Sequence, residues 1–285
     1  MYGYFSDGCY KGDLPYTDLA LERHRADLKI PGVEFSKEPC PSGYWERIKI
    51  STKKAAESIS KPLGLYHTLT TARFDMLSSK AMEDAKNEVA SELCRIFDES
   101  DIFPGRILVV GLGNRDLTPD SIGCAAAKMI KPTMHIKDWD NRSFTRLGCA
   151  EIAIITPGVA ADSGLDAVIS VKGICDLIRP DAVIAIDALA SRSADRLGKT
   201  IQICNSGISP GSGIGNPRLA IGIETVGTPV IAIGVPTVID SRMLCGETKF
   251  TSPPMFVSPK EINDIVDSAA EIIGVGINRA FGIYV

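Results

Sequence analysis

The stretch that decides the fold is RILVVGLGN at residues 106–114, an apolar run that ends in a glycine-containing turn. Two similar runs follow along the chain, IAII at residues 152–155 and AVIAI at residues 182–186. Continuous Val- and Ile-rich runs are typical of strands covered on both faces, because neither face then meets water. We therefore predict a sheet built on these three strands, with helices packed on both sides.

Helical patterns alternate with the predicted strands at residues 119–129, 166–178 and 261–277. Further short strands are predicted at residues 201–204 and 230–233. Upstream, residues 31–75 look like a small α+β unit, with strands near 45–50 and 66–70 around a short helix at 53–60. An amphipathic helix is predicted at residues 78–98. The fold class is therefore α/β, a three-layer α/β/α arrangement with a mostly parallel sheet and a small N-terminal α+β extension.

Composition narrows the functional class. Of the 285 residues, 45% are hydrophobic and 23% are charged, and the formal net charge is −4. This mildly acidic balance argues against a nucleic-acid binder, which normally carries a basic excess. No apolar run approaches the roughly 18 residues of a membrane span, and the first residues lack the basic start of a signal peptide. Eight cysteines without a C-x-x-C pair fit a reducing cytoplasm.

Two aspartates stand at the carboxyl edge of the predicted sheet, where ligands bind in open α/β folds. Asp187 directly follows the strand at 182–186, and Asp120 follows the loop that leaves the strand at 106–110. Because two neighbouring carboxylates repel each other, one of them tends to keep a proton. The ionised group can draw a proton from water, and the protonated one can donate to a carbonyl or a leaving amine. From spacing alone, a first-turn helix residue at Asp120 and a strand-end cap at Asp187 remain alternatives.

The glycine-rich loops match no nucleotide fingerprint. GLGN at residues 111–114 fails as a dinucleotide motif, because Asp116 stands where the third glycine would fall. PGSGIGN at residues 210–216 lacks the Lys-Ser/Thr pair of a P-loop, which leaves open a tight turn or a cradle for an anion or a peptide backbone. No G-x-S-x-G elbow and no H-E-x-x-H spacing occur. We therefore expect no cofactor and no metal; the histidines are His24, His67 and His135.

Several segments, in order along residues 17–240, are similar to the germination (spore) protease family. They are TDLA at 17–20, VVGLGN at 109–114 with TPD at 118–120, TPGV at 156–159, AIDALA at 185–190, GISPGSG at 207–213 and GVPTVID at 234–240. The resemblance implies a phosphorylase/hydrolase-like α/β fold shared with hydrogenase maturation peptidases. It also implies an endopeptidase whose two essential aspartates fall on Asp120 and Asp187.

The same resemblance implies a biological setting. The substrates would be small acid-soluble, DNA-binding spore proteins, degraded during germination in the cytoplasm of the spore core. The enzyme would be a homotetramer, made as a zymogen that removes residues 1–16 by self-cleavage and keeps residues 17–285 as one peptidase domain. Direct contact with nucleic acid or membrane is not expected. The predicted substrate-binding residues are Gly113, Asn114, Gly158, Gly211, Ser212 and Gly213.

Two other functions remain as alternatives. One is a metal-dependent peptidase of the hydrogenase-maturation type, which would need a histidine near the acidic residues. The other is a protein without enzymatic activity that binds a small ligand at the same sheet edge. The chain also departs from the family pattern at Ser209, where many relatives carry a histidine, so this position cannot supply an essential base here.

Overall fold

The computed structural model describes residues 17–23, 30–212, 218–244 and 255–284. The predicted propeptide at 1–16, His24 and Gly213 lie outside these residues. The described strands are β1 Val33–Cys40, β2 Gly43–Ile50, β3 Gly64–Thr71, β4 Arg106–Gly111, β5 Glu151–Ile155, β6 Ala182–Ser191, β7 Thr200–Cys204, β8 Val230–Asp240 and β9 Phe256–Val257. The described α-helices are α1 Lys53–Ile59, α2 Ser79–Glu99, α3 Ile122–Met129, α4 Met134–Trp139, α5 Asn141–Leu147, α6 Ala160–Ser163, α7 Ala167–Ile178, α8 Ile223–Val226, α9 Ser241–Leu244 and α10 Ile262–Ala280.

One mixed sheet contains all of these strands. Its order is β1-β2-β3-β7-β8-β6-β4-β5, and β9 pairs with β8. The strands β5, β4, β6 and β8 run parallel to one another. The strands β1, β2, β3 and β7 continue the sheet by antiparallel pairing. The predicted α/β class is confirmed, with a parallel central part, and the strands within residues 31–75 extend the same sheet.

Burial on both faces explains the uninterrupted apolar runs. In β4, Ile107 and Val109 belong to the core beneath α2, α3 and α10, whereas Leu108 and Val110 belong to the opposite core beneath α7. All four side chains have no exposed surface. Because full burial of such a side chain contributes about 1.5–3 kcal/mol, an alternating polar pattern would not support this arrangement. The predicted three layers are therefore present.

Most predicted helices and strands are confirmed within a few residues, and two differences matter for the site. The helix expected from residue 119 begins at Ile122, after a 3-10 turn at Thr118–Asp120. Strand β6 does not end at Ile186 but continues to Ser191, because β8 pairs with it as far as Ile239. Asp187 therefore lies inside a strand. None of the described helices is long and apolar enough to cross a membrane.

Candidate active site

A cavity of about 510 Å³ opens beside the carboxyl-terminal half of β6. This position agrees with the general rule that open α/β sheets bind ligands beyond the carboxyl ends of their parallel strands. The wall combines residues from several parts of the chain that are distant in sequence. They contribute Asp18 near the amino terminus, Pro119 and Asp120 after β4, Asp187 and Ala190 in β6, Gly211 and Ser212 after β7, and Gly234 and Thr237 in β8.

Asp187 is the more deeply buried of the two predicted catalytic aspartates. It pairs with Gly234 of β8, and its side chain is only 4% exposed. Burial raises the pKa of this carboxyl well above its usual range, and repulsion from Asp120 raises it further. The N–H of Ala188 donates to Asp187 Oδ1 at 2.9 Å and opposes this rise. The environment therefore shifts Asp187 towards its protonated form.

Asp120 is held by the turn that follows β4. Its carboxylate Oδ2 accepts a hydrogen bond of 2.8 Å from the N–H of Asn114. Partial burial raises the pKa of Asp120, whereas this N–H donor lowers it. Gly113 makes the turn possible, since its φ is +92° and a Cβ atom there would stand 1.9 Å from the carbonyl oxygen of Asp120. The N–H of Asn114 thus stabilises the ionised form of Asp120, whose side chain is only partly buried.

Strand β8 also holds the turn that carries Asp120. The Thr237 hydroxyl donates to the Pro119 carbonyl oxygen at 2.6 Å, and Thr237 is fully buried. One bond therefore ties the residue before Asp120 to the strand that pairs with Asp187. Both carboxyl groups are positioned by neighbouring elements of one sheet.

The variant Thr237→Val tests this tie. It keeps the shape of the side chain but removes the donor, so we expect the free energy of unfolding to fall by about 1 kcal/mol. We also expect kcat/KM to fall, because the turn that carries Asp120 loses its anchor. The control is Thr145→Val, where an exposed hydroxyl makes a similar 2.7 Å bond to Asn141. That change should stay within about 0.5 kcal/mol, as is usual for surface substitutions. Equal effects of the two substitutions in denaturant titrations and in the peptidase assay would contradict this role.

The six predicted substrate-binding residues fall at different places. Gly211 and Ser212 line the cavity. Gly113 and Asn114 form the turn that supports Asp120. Gly158 follows β5 and faces Asp162 instead, outside the residues that line the cavity. Gly213 lies outside the described residues, so its assignment stays a prediction.

Asp18 and Lys61 were not predicted as site residues. Lys61 Nζ donates to the backbone carbonyl oxygen of Asp18 at 2.8 Å, and both residues line the cavity. Burial lowers the pKa of the Lys61 ammonium group, and the Asp18 charge opposes this change. Lys61 follows a short helix without any distinguishing pattern, whereas Asp18 stands in the TDLA segment at residues 17–20. Its place in that segment was the one sequence feature that could have indicated Asp18 as a site residue.

The arrangement supplies two acidic groups of unequal proton affinity in one cleft, which suits general acid–base chemistry. Within the described ranges, no group of three or more His, Cys, Asp or Glu side chains is arranged to hold a metal ion. The side chains that face the cavity also include amide, hydroxyl and ammonium groups, contributed by Gln202, Ser212 and Lys61. In the structure these three groups make hydrogen bonds with Asp18 and Ala20 of the amino-terminal segment.

Comparison with known proteins assigns this α/β chain to the peptidases. A family model described as germination protease matches residues 17–250. The chain belongs to the germination protease family, as the sequence resemblance predicted. The matched range includes the glycine-rich segments, Asp120 and Asp187.

Curated relatives support the same assignment. The germination protease of Clostridium perfringens strain 13 is 33% identical over 312 residues, covering 93% of this chain and 94% of the relative. The germination protease of Caldanaerobacter subterraneus subsp. tengcongensis is 38% identical, and the match covers 81% of this chain and 71% of the relative. The germination protease of Priestia megaterium is 40% identical, and the match covers 81% of this chain and 67% of the relative. Among solved structures, a [NiFe] hydrogenase maturation protease from Thermococcus kodakarensis KOD1 matches with 18% identity and a TM-score of 0.38, over 66% of this chain and 99% of the other.

Proposed function

We propose that this germination protease is an endopeptidase that starts the degradation of small acid-soluble, DNA-binding spore proteins, with Asp120 and Asp187 as its catalytic pair. The observation that carries the proposal is the convergence of these two carboxyl groups on one cavity at the sheet edge. The proton affinity of Asp187 is raised by burial and by the charge of Asp120, which makes Asp187 the proposed acid of the pair.

The proposed reaction uses water as the nucleophile. The Asp120 carboxylate takes a proton from water while the water oxygen bonds to the carbonyl carbon, and Asp187 gives its proton to the carbonyl oxygen. The tetrahedral intermediate then breaks its C–N bond. Asp120 returns its proton to the leaving amine, and Asp187 regains one from a hydroxyl of the intermediate. The products are a carboxylic acid and an amine, and both aspartates end as they began.

The cavity wall supports a polypeptide substrate. Gly211 and Ser212 bring backbone groups and a hydroxyl to the cleft, and Gly211 has a φ of +73°, which glycine adopts without strain. A loop of this kind can approach a peptide backbone closely. We include Gly213 in this proposed substrate-binding loop on sequence grounds.

The zymogen is a second part of the proposal. Residues 1–16 are proposed as a propeptide that blocks the cleft, and residues 17–285 as the mature homotetrameric enzyme acting in the spore core. The family match begins at residue 17 and leaves residues 1–16 outside. Deletion of residues 1–16 should then give a protein that cleaves substrate without prior processing. A truncated protein that is folded but silent would overturn the inhibitory role.

The direct test is cleavage of a purified small acid-soluble spore protein, followed by mass spectrometry of the fragments. The wild-type chain, in its processed form, should produce discrete internal cuts with or without a chelator. Activity that disappears with chelator and returns with nickel or zinc would favour the metal-dependent alternative. Absence of cleavage by every processed form would favour a ligand-binding protein and reject the proposal.

A further inference from the structure

A side-chain amide in the cavity wall bonds to the backbone of a peptide segment. Gln202 Oε1 accepts the backbone N–H of Ala20 at 2.9 Å, and Gln202 Nε2 donates to the backbone carbonyl oxygen of Asp18 at 3.3 Å. Between these two groups Leu19 is extended, with a φ of −81° and a ψ of 125°. One amide thus satisfies a carbonyl and the N–H two residues later, as a neighbouring strand would. Neither bond depends on the side chains that the segment carries.

Lys61 adds a second donor to the same carbonyl oxygen. Its Nζ atom donates to the Asp18 carbonyl oxygen at 2.8 Å. The end of α1 fixes the backbone of Lys61, because the Lys61 N–H bonds to the Ala56 carbonyl oxygen at 3.1 Å and Ser60 has a left-handed φ of 55°. This conformation costs free energy for a residue with a Cβ atom, so the surrounding structure must hold it in place. The bound carbonyl therefore receives two side-chain donors from separate elements.

The register of the sheet places the Gln202 amide beside the proposed catalytic pair. Gly234 of β8 pairs with Asp187 of β6 on one side and with Gln202 of β7 on the other. Side chains at paired positions point to the same face of a sheet, so Asp187 and Gln202 share one face. Adjacent strands lie about 4.8 Å apart, which puts the two backbone positions about 10 Å from each other. Gly234 carries no side chain between them, and Leu189 takes part of that space.

Both donors belong to the cavity that holds the two aspartates. Gln202 and Lys61 line this cavity, and Gln202 is buried. A buried amide that loses its partners leaves a donor and an acceptor unsatisfied, which costs free energy. When the amino-terminal segment leaves the cleft, the Gln202 amide therefore favours the binding of another peptide backbone. The segment itself need not remain in the active enzyme, since any extended backbone offers the same two groups.

We propose that Gln202 and Lys61 are substrate-binding residues of the peptidase site, which hold one backbone carbonyl of an extended polypeptide and the N–H two residues later. The inference rests on the proposed function and adds to it the way in which the substrate backbone is held beside Asp187. Because the bonds go to backbone groups, they position the substrate without selecting its side chains. Proline at the N–H position is the exception, because it has no donor.

Two substitutions remove these bonds in the processed enzyme. Gln202→Leu keeps the size of the side chain but loses both donor and acceptor, and we expect kcat/KM for a purified small spore protein to fall by roughly 10- to 100-fold. Lys61→Met keeps the length of the side chain without its donor and should lower kcat/KM by roughly 10-fold. Both losses should appear mainly as a higher KM, because bonds to an unreacting part of the substrate are equally present in the ground state and the transition state.

Two matched variants serve as controls. Thr200→Val changes another buried polar residue of β7, which lies on the same face as Gln202 but outside the residues that line the cavity. Lys54→Met removes a lysine charge from an exposed position on α1. Both controls should keep the wild-type KM and kcat. A KM that rises as much in the controls as in Gln202→Leu and Lys61→Met would overturn the inference.

An ester scan of a peptide substrate tests the backbone contact directly. The probe is a synthetic peptide that spans one internal cut, in which each peptide bond other than the cut one is replaced in turn by an ester without an N–H. At least one ester that lowers kcat/KM by roughly 10-fold in the wild type should have little further effect in Gln202→Leu. Gln202→Glu keeps an acceptor, so the same ester should remain harmful in that variant. Additive effects of ester and Gln202→Leu at every position would contradict the proposed contact.

Hydrogen exchange provides a measurement that does not need activity. In the unprocessed full-length chain, the peptide covering residues 18–23 should exchange faster in Gln202→Leu and in Lys61→Met than in the wild type or in the two controls. A wild-type enzyme that cleaves no spore protein rejects the proposed function, but this exchange experiment still tests whether Gln202 and Lys61 hold a peptide backbone. Unchanged exchange in both variants would show that they do not. If Gln202→Leu fails to fold, Gln202→Glu, which also lacks the amide donor, takes its place in this measurement and in the kinetics.

Discussion

Asp120→Asn and Asp187→Asn are each expected to lower kcat for cleavage of a small spore protein by about 10²- to 10⁴-fold, the usual contribution of a general acid or base. An amide cannot take the proton from water at position 120, and it cannot supply the acidic proton at position 187. The two losses should not multiply in the double variant, because the residues act as one unit. The measurement is the initial rate of fragment formation by mass spectrometry or gel analysis.

Two controls are needed for this prediction. One tests the loss of a negative charge by itself, and the other tests whether the variants remain folded. Asp98→Asn removes the same charge from an exposed position on α2 and should keep the wild-type rate. Circular dichroism and size-exclusion chromatography should show that the two site variants remain folded and keep the wild-type assembly. A site variant that processes substrate at the wild-type rate would remove that aspartate from the mechanism.

The stability of Asp187→Asn should change with pH in a characteristic direction. Because the folded state raises the pKa of Asp187, its contribution to stability is fully present below the unfolded pKa and is lost as pH rises through the folded pKa. The variant has no such loss. Its Tm relative to wild type should therefore increase as the pH rises above about 4, where an unfolded aspartate ionises, at roughly 2–4 °C for each kcal/mol. A Tm difference that is constant over this range would contradict the burial-driven shift.

Gly113→Ala is expected to abolish most activity and to destabilise the chain by several kcal/mol. A Cβ atom at this position would lie 1.9 Å from the Asp120 carbonyl oxygen and 3.2 Å from its Oδ1. The φ of +92° adds the cost of about 1–2 kcal/mol that an L-residue meets in the left-handed region. Because backbone cannot move aside as a flexible side chain can, the turn must shift and carry Asp120 with it.

The matched control for Gly113→Ala is Gly148→Ala. Gly148 also has a positive φ, +63°, but a Cβ atom there would meet nothing within 4 Å. This variant should show only the backbone cost of about 1–2 kcal/mol, with wild-type kcat/KM. Thermal unfolding and kinetics of the two variants together isolate the clash at the site. Similar activity in both would show that the turn tolerates displacement.

Local sequence was sufficient to predict the strands that are buried on both faces and the helices that are amphipathic. The apolar runs predicted β4 and β5 and the first half of β6, since burial on both sides leaves a signal in every residue. Strand β1 gave no such signal, because it is an edge strand in which six of eight residues are exposed. The second half of β6 was missed for another reason: its length is set by pairing with β8, which no local window contains.

The sequence by itself determined the α/β class, the family and the two aspartates as candidates, because these depend on patterns within a few residues. Only the tertiary structure decided that Asp187 lies within a strand and that Asp18 meets Ala190 across 172 residues of chain. A local pattern records whether a residue will be buried but not which distant group will satisfy its hydrogen bonds. That choice is made by the order of strands in the sheet, which brings the amino-terminal segment to the edge of β6 at Ala190.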